Sequence, residues 1–302
     1  MIEVTLLGCG GMMPMKNRWL TSCYLLCNGH AVLIDCGEGT QIALKNTTCK
    51  AKKIDMICIT HFHADHISGL PGFLLSMGNE GREEKITIAG PRGIERIVKS
   101  LTVIASGLPF EIDFIEVEDH KAISAAGMEI TPFRLRHGLE CFGYSFYLPR
   151  SGKFDPEKAR ANDVPQCIWS KLQKNEETEL DGRIFTPDMV LGESRKGVKL
   201  TYCTDTRPCK SISSSAAGSD LFICEGLYYE QDKIERAVKT GHMLFSEAAR
   251  LALESDVKEM WLTHYSPAVK DPELGLAAAR EIFPDSYCGY DGKKTILYYP
   301  ED

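Results

Sequence analysis

Short apolar runs bounded by glycine, proline, asparagine and aspartate recur along the chain. IEVTLLG, YLLCNG, HAVLIDC, IDMICIT, KITIAG, MEITPFRL, GYSFYL, VKLTYCT, DLFICEG and VKEMWLT each have the length and flanks of a strand. Between them, RGIERIVKSLTVIAS, SEAARLALES and PELGLAAAREIF space apolar residues three and four apart with charges opposite, the pattern of amphipathic helices. HISGLPGFLLSM is expected to form a further helix. The alternation predicts an α/β protein. No repeat, low-complexity tract or linker divides it, so residues 1–302 are read as a single domain. The least regular stretch, 150–195, is expected to be a surface insertion.

Composition narrows the class. At 302 residues, 43% apolar and 25% charged, the chain can bury a core without metal or disulfide staples. Its net charge of −7 argues against a surface that is basic throughout, though not against a local basic patch. Twelve cysteines follow no regular spacing, and the opening MIEVTLLGCGG lacks the form of a signal peptide. Reduced thiols and a cytoplasmic location are expected. No apolar run approaches the roughly 20 residues that span a bilayer.

A regularity of position brings in chemistry. HAVLI ends at Asp35, IDMICIT at His61, VKLTYCT at Asp205, VKEMWLT at His264 and MEITPFRLR at His137. If these strands share sheets with their carboxyl ends on one rim, the five groups converge where α/β folds place their sites.

His61, His63, Asp65 and His66 fall at i, i+2, i+4 and i+5, just after a strand. A loop there can turn side chains in two directions, which suits two ions better than one. With His137, Asp205 and His264 the chain offers seven imidazole and carboxylate ligands, and Asp205 can bridge. Two divalent ions are expected, with Zn²⁺ first and Mn²⁺ or Fe²⁺ as alternatives. Such a pair lowers the pKa of water and clamps a substrate oxyanion, so the chemistry is hydrolysis. His30 and His120 are read as ordinary surface or core histidines. Cys36, Cys203 and Cys209 are read as small buried hydrophobes and not as ligands. Asp35 is left out of the ligand set, as a residue that orients a ligand histidine.

The run His61-Phe62-His63-Ala64-Asp65-His66 resembles the H-x-H-x-D-H signature of the metallo-β-lactamase fold. That resemblance implies a four-layered αβ/βα sandwich with a binuclear site on one edge. It narrows to the ribonuclease Z family, which removes the 3′ trailer from precursor tRNA. LGCGGMMPMKNRWLTSCYLL, IDCGEGTQ, THFHADHISGLPG, RHGLECFGYSF, YCTDTRPC and LTHYSPA are all similar to that family's motifs. The resemblance implies that a metal-activated hydroxide attacks the phosphorus, with Asp65 orienting it or taking its proton. CEGLYYE and KTGHMLFSEAARLA are similar in layout to the family's acid region. They place Glu225 and His242 as the pair that protonates the leaving group. The resemblance also implies a homodimer.

Departures fall on substrate recognition. Met243-Leu244 stands where the family has Ser-Thr, Ala268 stands where an arginine is common, and Gln166-Cys167 replaces Gly-Pro at the tip of the family's tRNA-gripping arm. Residues 150–174 carry six Lys/Arg against three Asp/Glu, a sign that suits phosphate contact. A smaller-substrate phosphodiesterase of the same fold is the alternative. A non-catalytic, metal-stabilised nucleic-acid-binding protein is disfavoured because every ligand type and Asp65 are present.

Overall fold

In the computed structural model, which describes residues 1–301, sixteen strands follow in chain order. They are β1 (Ile2–Gly8), β2 (Ser22–Cys27), β3 (His30–Ile34), β4 (Ile54–Cys58), β5 (Ile86–Gly90), β6 (Ile112–Glu116), β7 (Ile123–Ala125), β8 (Met128–Arg134), β9 (Phe142–Arg150), β10 (Thr178–Leu180), β11 (Arg183–Phe185), β12 (Arg195–Cys203), β13 (Leu221–Glu225), β14 (Met260–Thr263), β15 (Ser286–Cys288) and β16 (Lys294–Leu297). One seven-stranded sheet has the order β16-β1-β2-β3-β4-β5-β6, the other β15-β14-β13-β12-β9-β8-β7. In each, an antiparallel portion joins a parallel one: β3 to β6 run parallel in the first, β12 to β15 in the second.

Side chains alternate across a strand, so a strand buried on both faces must be covered twice. Ala31 and Leu33 of β3 and Ile54 and Ile57 of β4 pack under the helices Thr40–Lys45, Leu70–Asn79 and Ile94–Leu101. Their alternates Val32, Ile34, Met56 and Cys58 are equally buried on the other face. The second sheet repeats this. Phe222, Cys224, Met260 and Leu262 lie under the helices Lys210–Ala216, Phe245–Glu254 and Glu273–Arg280, while Leu221, Ile223 and Trp261 fill the opposite face. The Tyr144 hydroxyl donates to the Ile59 carbonyl at 2.7 Å, tying one sheet to the other. Helix, sheet, sheet, helix is the expected αβ/βα sandwich. Each fully buried Leu, Ile or Phe in it contributes about 1.5–3 kcal/mol.

The main unit comprises Met1–Leu148 and Lys199–Tyr298; Pro149–Val198, with residues 299–301, forms a second compact unit. The stretch 150–195 is more ordered than its sequence suggests. Asp155 caps the helix Pro156–Ala161 by accepting from Glu157 N and Lys158 N, and a second helix covers Trp169–Gln173. β10 and β11 close over Asp181-Gly182, both at positive φ, as a two-residue hairpin turn requires. Ala159, Val164, Ile168, Leu172, Phe185, Val190 and Leu191 form its own small core. Among the described residues no helix is long and apolar enough to cross a membrane.

The helix expected at HISGLPGFLLSM is broken. A short turn covers Ala64–Ile67 and the helix proper begins at Leu70. The break is imposed by the chain packed against it: Gly69 N donates to the Cys36 carbonyl, and a Cβ at Gly69 would stand 2.0 Å from the Gly37 carbonyl oxygen.

Candidate active site

The loops leaving β3, β4, β8, β12 and β14 meet at one place and carry Asp35, His61, His137, Asp205 and His264 there. Six of the chain's eight histidines gather in this cluster; His30 and His120 lie outside it, exposed and paired with Asp55 and Asp119. Three of the strand-end residues have left-handed backbones: φ is 56° at Asp35, 40° at Asp205 and 58° at His264. Such conformations cost about 1–3 kcal/mol each and persist where surrounding contacts fix them.

The donors fall into two separate sets, His61, His63, His137 and Asp205 in one and Asp65, His66 and His264 in the other, with ligand atoms in each within 4.8 Å of one another; a further combination, Asp205, His242 and His264, draws on both and meets the same distance. In the first, His63 Nδ1 lies 3.0 Å from His61 Nε2 and 3.3 Å from His137 Nε2. In the second, His66 Nε2 and His264 Nε2 are 3.2 Å apart, with Asp65 Oδ2 3.6 and 3.4 Å from them. Asp205 serves both. Its Oδ1 is 3.1 Å from His66 Nε2 and from His264 Nε2, and its Oδ2 is 3.5 Å from His61 Nε2.

Each orienting contact turns a nitrogen inward. His66 Nδ1 donates to Asp35 Oδ2 at 2.7 Å, while Thr60 N and Oγ1 hold the same carboxylate. His137 Nδ1 donates to the Gly241 carbonyl at 3.2 Å, and His61 Nδ1 faces Thr60 Oγ1 at 3.1 Å. Met12 N donates to Asp65 Oδ2 at 2.6 Å, so the glycine-rich opening loop positions that carboxylate. Gly11 is obligatory there: a Cβ would fall 2.5 Å from His264 Cε1.

Charge follows from this packing. Burial opposes ionisation of Asp205, yet His264, His66 and His61 hold its carboxyl well below the usual carboxylate range. Burial likewise works against Asp65, and the hydrogen bond to His264 with the charge of His66 brings it down. Burial and the rings of His61 and His137 lower His63 to about 4, which keeps it neutral. Burial also lowers His137. Two acidic carboxylates amid converging imidazole lone pairs form a donor set for divalent cations. Asp205 Oδ1 is buried and makes no hydrogen bond among the described residues, as fits a donor meant for something other than protein.

Beside this cluster lies the pair His242 and Glu225. His242 Nδ1 is 3.1 Å from Glu225 Oε2, and its Nε2 is 4.0 Å from Asp205 Oδ2. Glu225 is fully buried and also accepts from Thr206 N and Met243 N. Burial opposes a charge on His242, and the carboxylates of Glu225 and Asp205 outweigh it, raising the imidazole to about 9. His63, Asp65, His137, Asp205, His242 and His264 line one cavity of about 330 Å³ with Met12, Leu227, Tyr228, Arg236 and Thr240.

Several contributors carried no signal in the sequence. Arg207 donates to the His242 carbonyl at 2.6 Å and forms a two-pronged pair with Glu247, fixing the start of the helix Phe245–Glu254. Leu244 opens that helix with no polar side chain, and its N–H is taken up by Glu247 Oε2 at 2.9 Å. Met243 and Leu244 are buried in the core of the second sheet and do not line the cavity. Cys36 and Cys203 are buried thiols, and Cys209 is partly buried.

Residues 2–156 match the model of the family described as Anti-Pycsar protein Apyc1, a stretch that includes His61 to His66 and His137 and stops before Asp205. Among solved structures, the metallo-beta-lactamase fold protein YhfI from Bacillus subtilis is similar at a TM-score of 0.71 and 20% identity, covering 97% of this chain and 98% of that one. Human tRNase Z, short form, is similar at a TM-score of 0.69 and 21% identity, covering 99% and 100%. These likenesses establish the metallo-β-lactamase fold. At the level of sequence, the ribonuclease Z of Lachnoclostridium phytofermentans is 51% identical over 303 residues and covers the whole of both chains. With that identity sustained from end to end, the chain belongs to the ribonuclease Z family.

Proposed function

We propose that this chain is a metal-dependent endoribonuclease that removes the 3′ trailer from precursor tRNA. The observation that carries the reading is the single cavity onto which three things open together: the two donor sets, the Asp205 they share, and the His242–Glu225 pair. We assign His61, His63, His137 and Asp205 to one ion and Asp65, His66, His264 and Asp205 to a second. The ions are zinc by the preference of imidazole-rich sites, with Mn²⁺ or Fe²⁺ as alternatives. Bound there, the ions supply Lewis-acid charge to the phosphoryl oxygens and lower the pKa of water.

The protein groups do the rest. Asp65, held at Oδ2 by Met12 N, orients the attacking water and receives its proton. His242 carries the opposite duty. Its Nδ1 is committed to Glu225, which leaves Nε2 to deliver a proton to the departing 3′ oxygen. Asp35 keeps His66 in the tautomer that presents Nε2 inward. We assign residues 150–174 as the arm that contacts tRNA beyond the cleavage point, and the functional particle as a homodimer.

The deciding experiment is a paired assay on purified, metal-quantified protein: a 3′-extended precursor tRNA beside bis-p-nitrophenyl phosphate, with Asp65→Ala as the blank. Cleavage of the precursor next to the discriminator nucleotide, absent in the variant, is expected. Turnover of the small diester alone assigns the chain to small phosphodiesters and withdraws the tRNA reading.

A further inference from the structure

We propose that Arg236 grips a second phosphate of the substrate, adjacent to the one being cleaved, and so sets the preference for polynucleotides over single diesters. This rests on the phosphodiesterase reading of the site and is independent of whether the polynucleotide is tRNA.

Arg236 is the one arginine or lysine among the described residues that line the cavity. The donor sets account for charge on the phosphate being cleaved. A neighbouring phosphate brings a further negative charge into a site that already holds Asp65 and Asp205, and Arg236 is the cation placed to meet it.

Position distinguishes it from the other arginines nearby, since Arg18, Arg136 and Arg207 do not line the cavity. Arg207 is spent on Glu247 and the His242 carbonyl, and Arg18 on the carbonyls of Val269 and Lys270. The guanidinium of Arg236 makes no hydrogen bond or ion pair among the described residues. It lies over the ring of Tyr228, with Cζ 5.8 Å from the centroid, which leaves the N–H edge of the fork open. The side chain is exposed.

The helix Ile234–Thr240 gives it a fixed address. The helix stops at Gly241, with φ at 78°, and the Gly241 carbonyl accepts from His137 Nδ1 at 3.2 Å. His242 N returns to the Ala237 carbonyl at 2.8 Å. One turn of helix therefore spans the distance between the metal-facing imidazoles and Arg236, and Thr240, four residues on, lines the same wall. A guanidinium held this way can form two parallel bonds to a phosphate that the ions do not reach.

The test uses two chromogenic substrates alike except for one group: thymidine 5′-(p-nitrophenyl phosphate), and the same molecule bearing a 3′-phosphate. Wild type is expected to show a lower KM for the second. Arg236→Gln should raise that KM about tenfold, as loss of one charge-assisted contact does. It should leave kcat, bound metal and turnover of the first substrate unchanged. Arg236→Lys should recover part of the loss, since a point charge replaces a fork. On a single-stranded oligonucleotide the salt dependence of KM should flatten by the share of about one phosphate contact. Equal losses on both substrates, or a wild type indifferent to the 3′-phosphate, overturn the proposal. Failure of the tRNA reading is separately visible as intact precursor in the wild-type reaction.

Discussion

Asp35 Oδ2 receives the Nδ1 proton of His66 at 2.7 Å, and neither side chain is exposed to solvent. The carboxylate is anchored on its other side by the amide and hydroxyl of Thr60, so it cannot swing away. His66 is thereby held with Nε2 towards Asp205 and His264. Asp35→Asn keeps the shape but removes the charge that makes the imidazole a strong donor. It is expected to weaken metal retention at the second donor set about 10–100-fold, as loss of such partners does. Competition with a graded series of chelators, read as ions bound per chain, measures this. Retention equal to wild type refutes the positioning role.

Asp205 divides its two oxygens between the donor sets, whereas His63 belongs to one. Asp205→Ala is therefore expected to lower metal content at both sets and His63→Ala at the first alone. Elemental analysis after gel filtration should give fewer ions per chain for Asp205→Ala than for His63→Ala, since the first cuts both sets from four protein ligands to three and the second cuts only one. Two ions retained by Asp205→Ala contradict the bridge.

His242 sits with a pKa raised to about 9 by Glu225 and Asp205 against the cost of burial. An acid is useful while it keeps its proton, so on a substrate with a poor leaving group the rate should hold through neutrality. Above about pH 9 it should fall roughly tenfold per unit, as titration of one required proton dictates. The same shift stabilises the fold: the contribution is complete below the ordinary histidine pKa of about 6.5 and is lost as pH climbs through 9. His242→Ala should slow alkoxide departure by about 10²–10⁴ while sparing p-nitrophenolate, which leaves without a proton. A pH profile measured on both substrates separates the cases, and equal slowing of the two speaks for a purely structural histidine.

How far the sequence alone could reach is clear from particular residues. Asp35, His61, His137, Asp205 and His264 were legible as a convergent group because each follows an apolar run, and strand ends on one rim share a neighbourhood whatever their separation in the chain. The four-layer sandwich was legible through family likeness, and continuous apolar runs such as HAVLI and LFICE are consistent with strands covered on both faces. Edge strands were not. β6 mixes partly buried and exposed residues with none fully buried, and β16 begins with lysine and threonine, so neither stands out from loop. The helix Lys210–Ala216 was hidden by four serines, which favour turns and caps in isolation and are overridden here by packing of Ile212 and Ala216. Met12, Arg207 and Arg236 act through a backbone amide, a reinforcing ion pair and a position on a helix, none of which leaves a spacing pattern.

Gly11 offers the sharpest test of how the opening loop serves the centre. A methyl group there would stand 2.5 Å from Cε1, 2.7 Å from Nε2 and 2.9 Å from Nδ1 of His264, all inside van der Waals contact. The ring has no room to retreat, since its Nε2 is already 3.2 Å from His66 and 3.1 Å from Asp205 and the side chain is fully buried. Either the loop lifts, taking Met12 N off Asp65, or the ring turns away from the second donor set. Both outcomes misplace a group in direct contact with the reaction, and a displacement near 1 Å costs about 10²-fold in rate. Gly11→Ala should therefore lose about two orders of magnitude in kcat on bis-p-nitrophenyl phosphate. Gly29→Ala is the control for any glycine substitution: it sits at positive φ with open space around it, far from this ring, and should cost only modest stability. Near-normal turnover in Gly11→Ala would mean that the loop and His264 are not held against one another in solution.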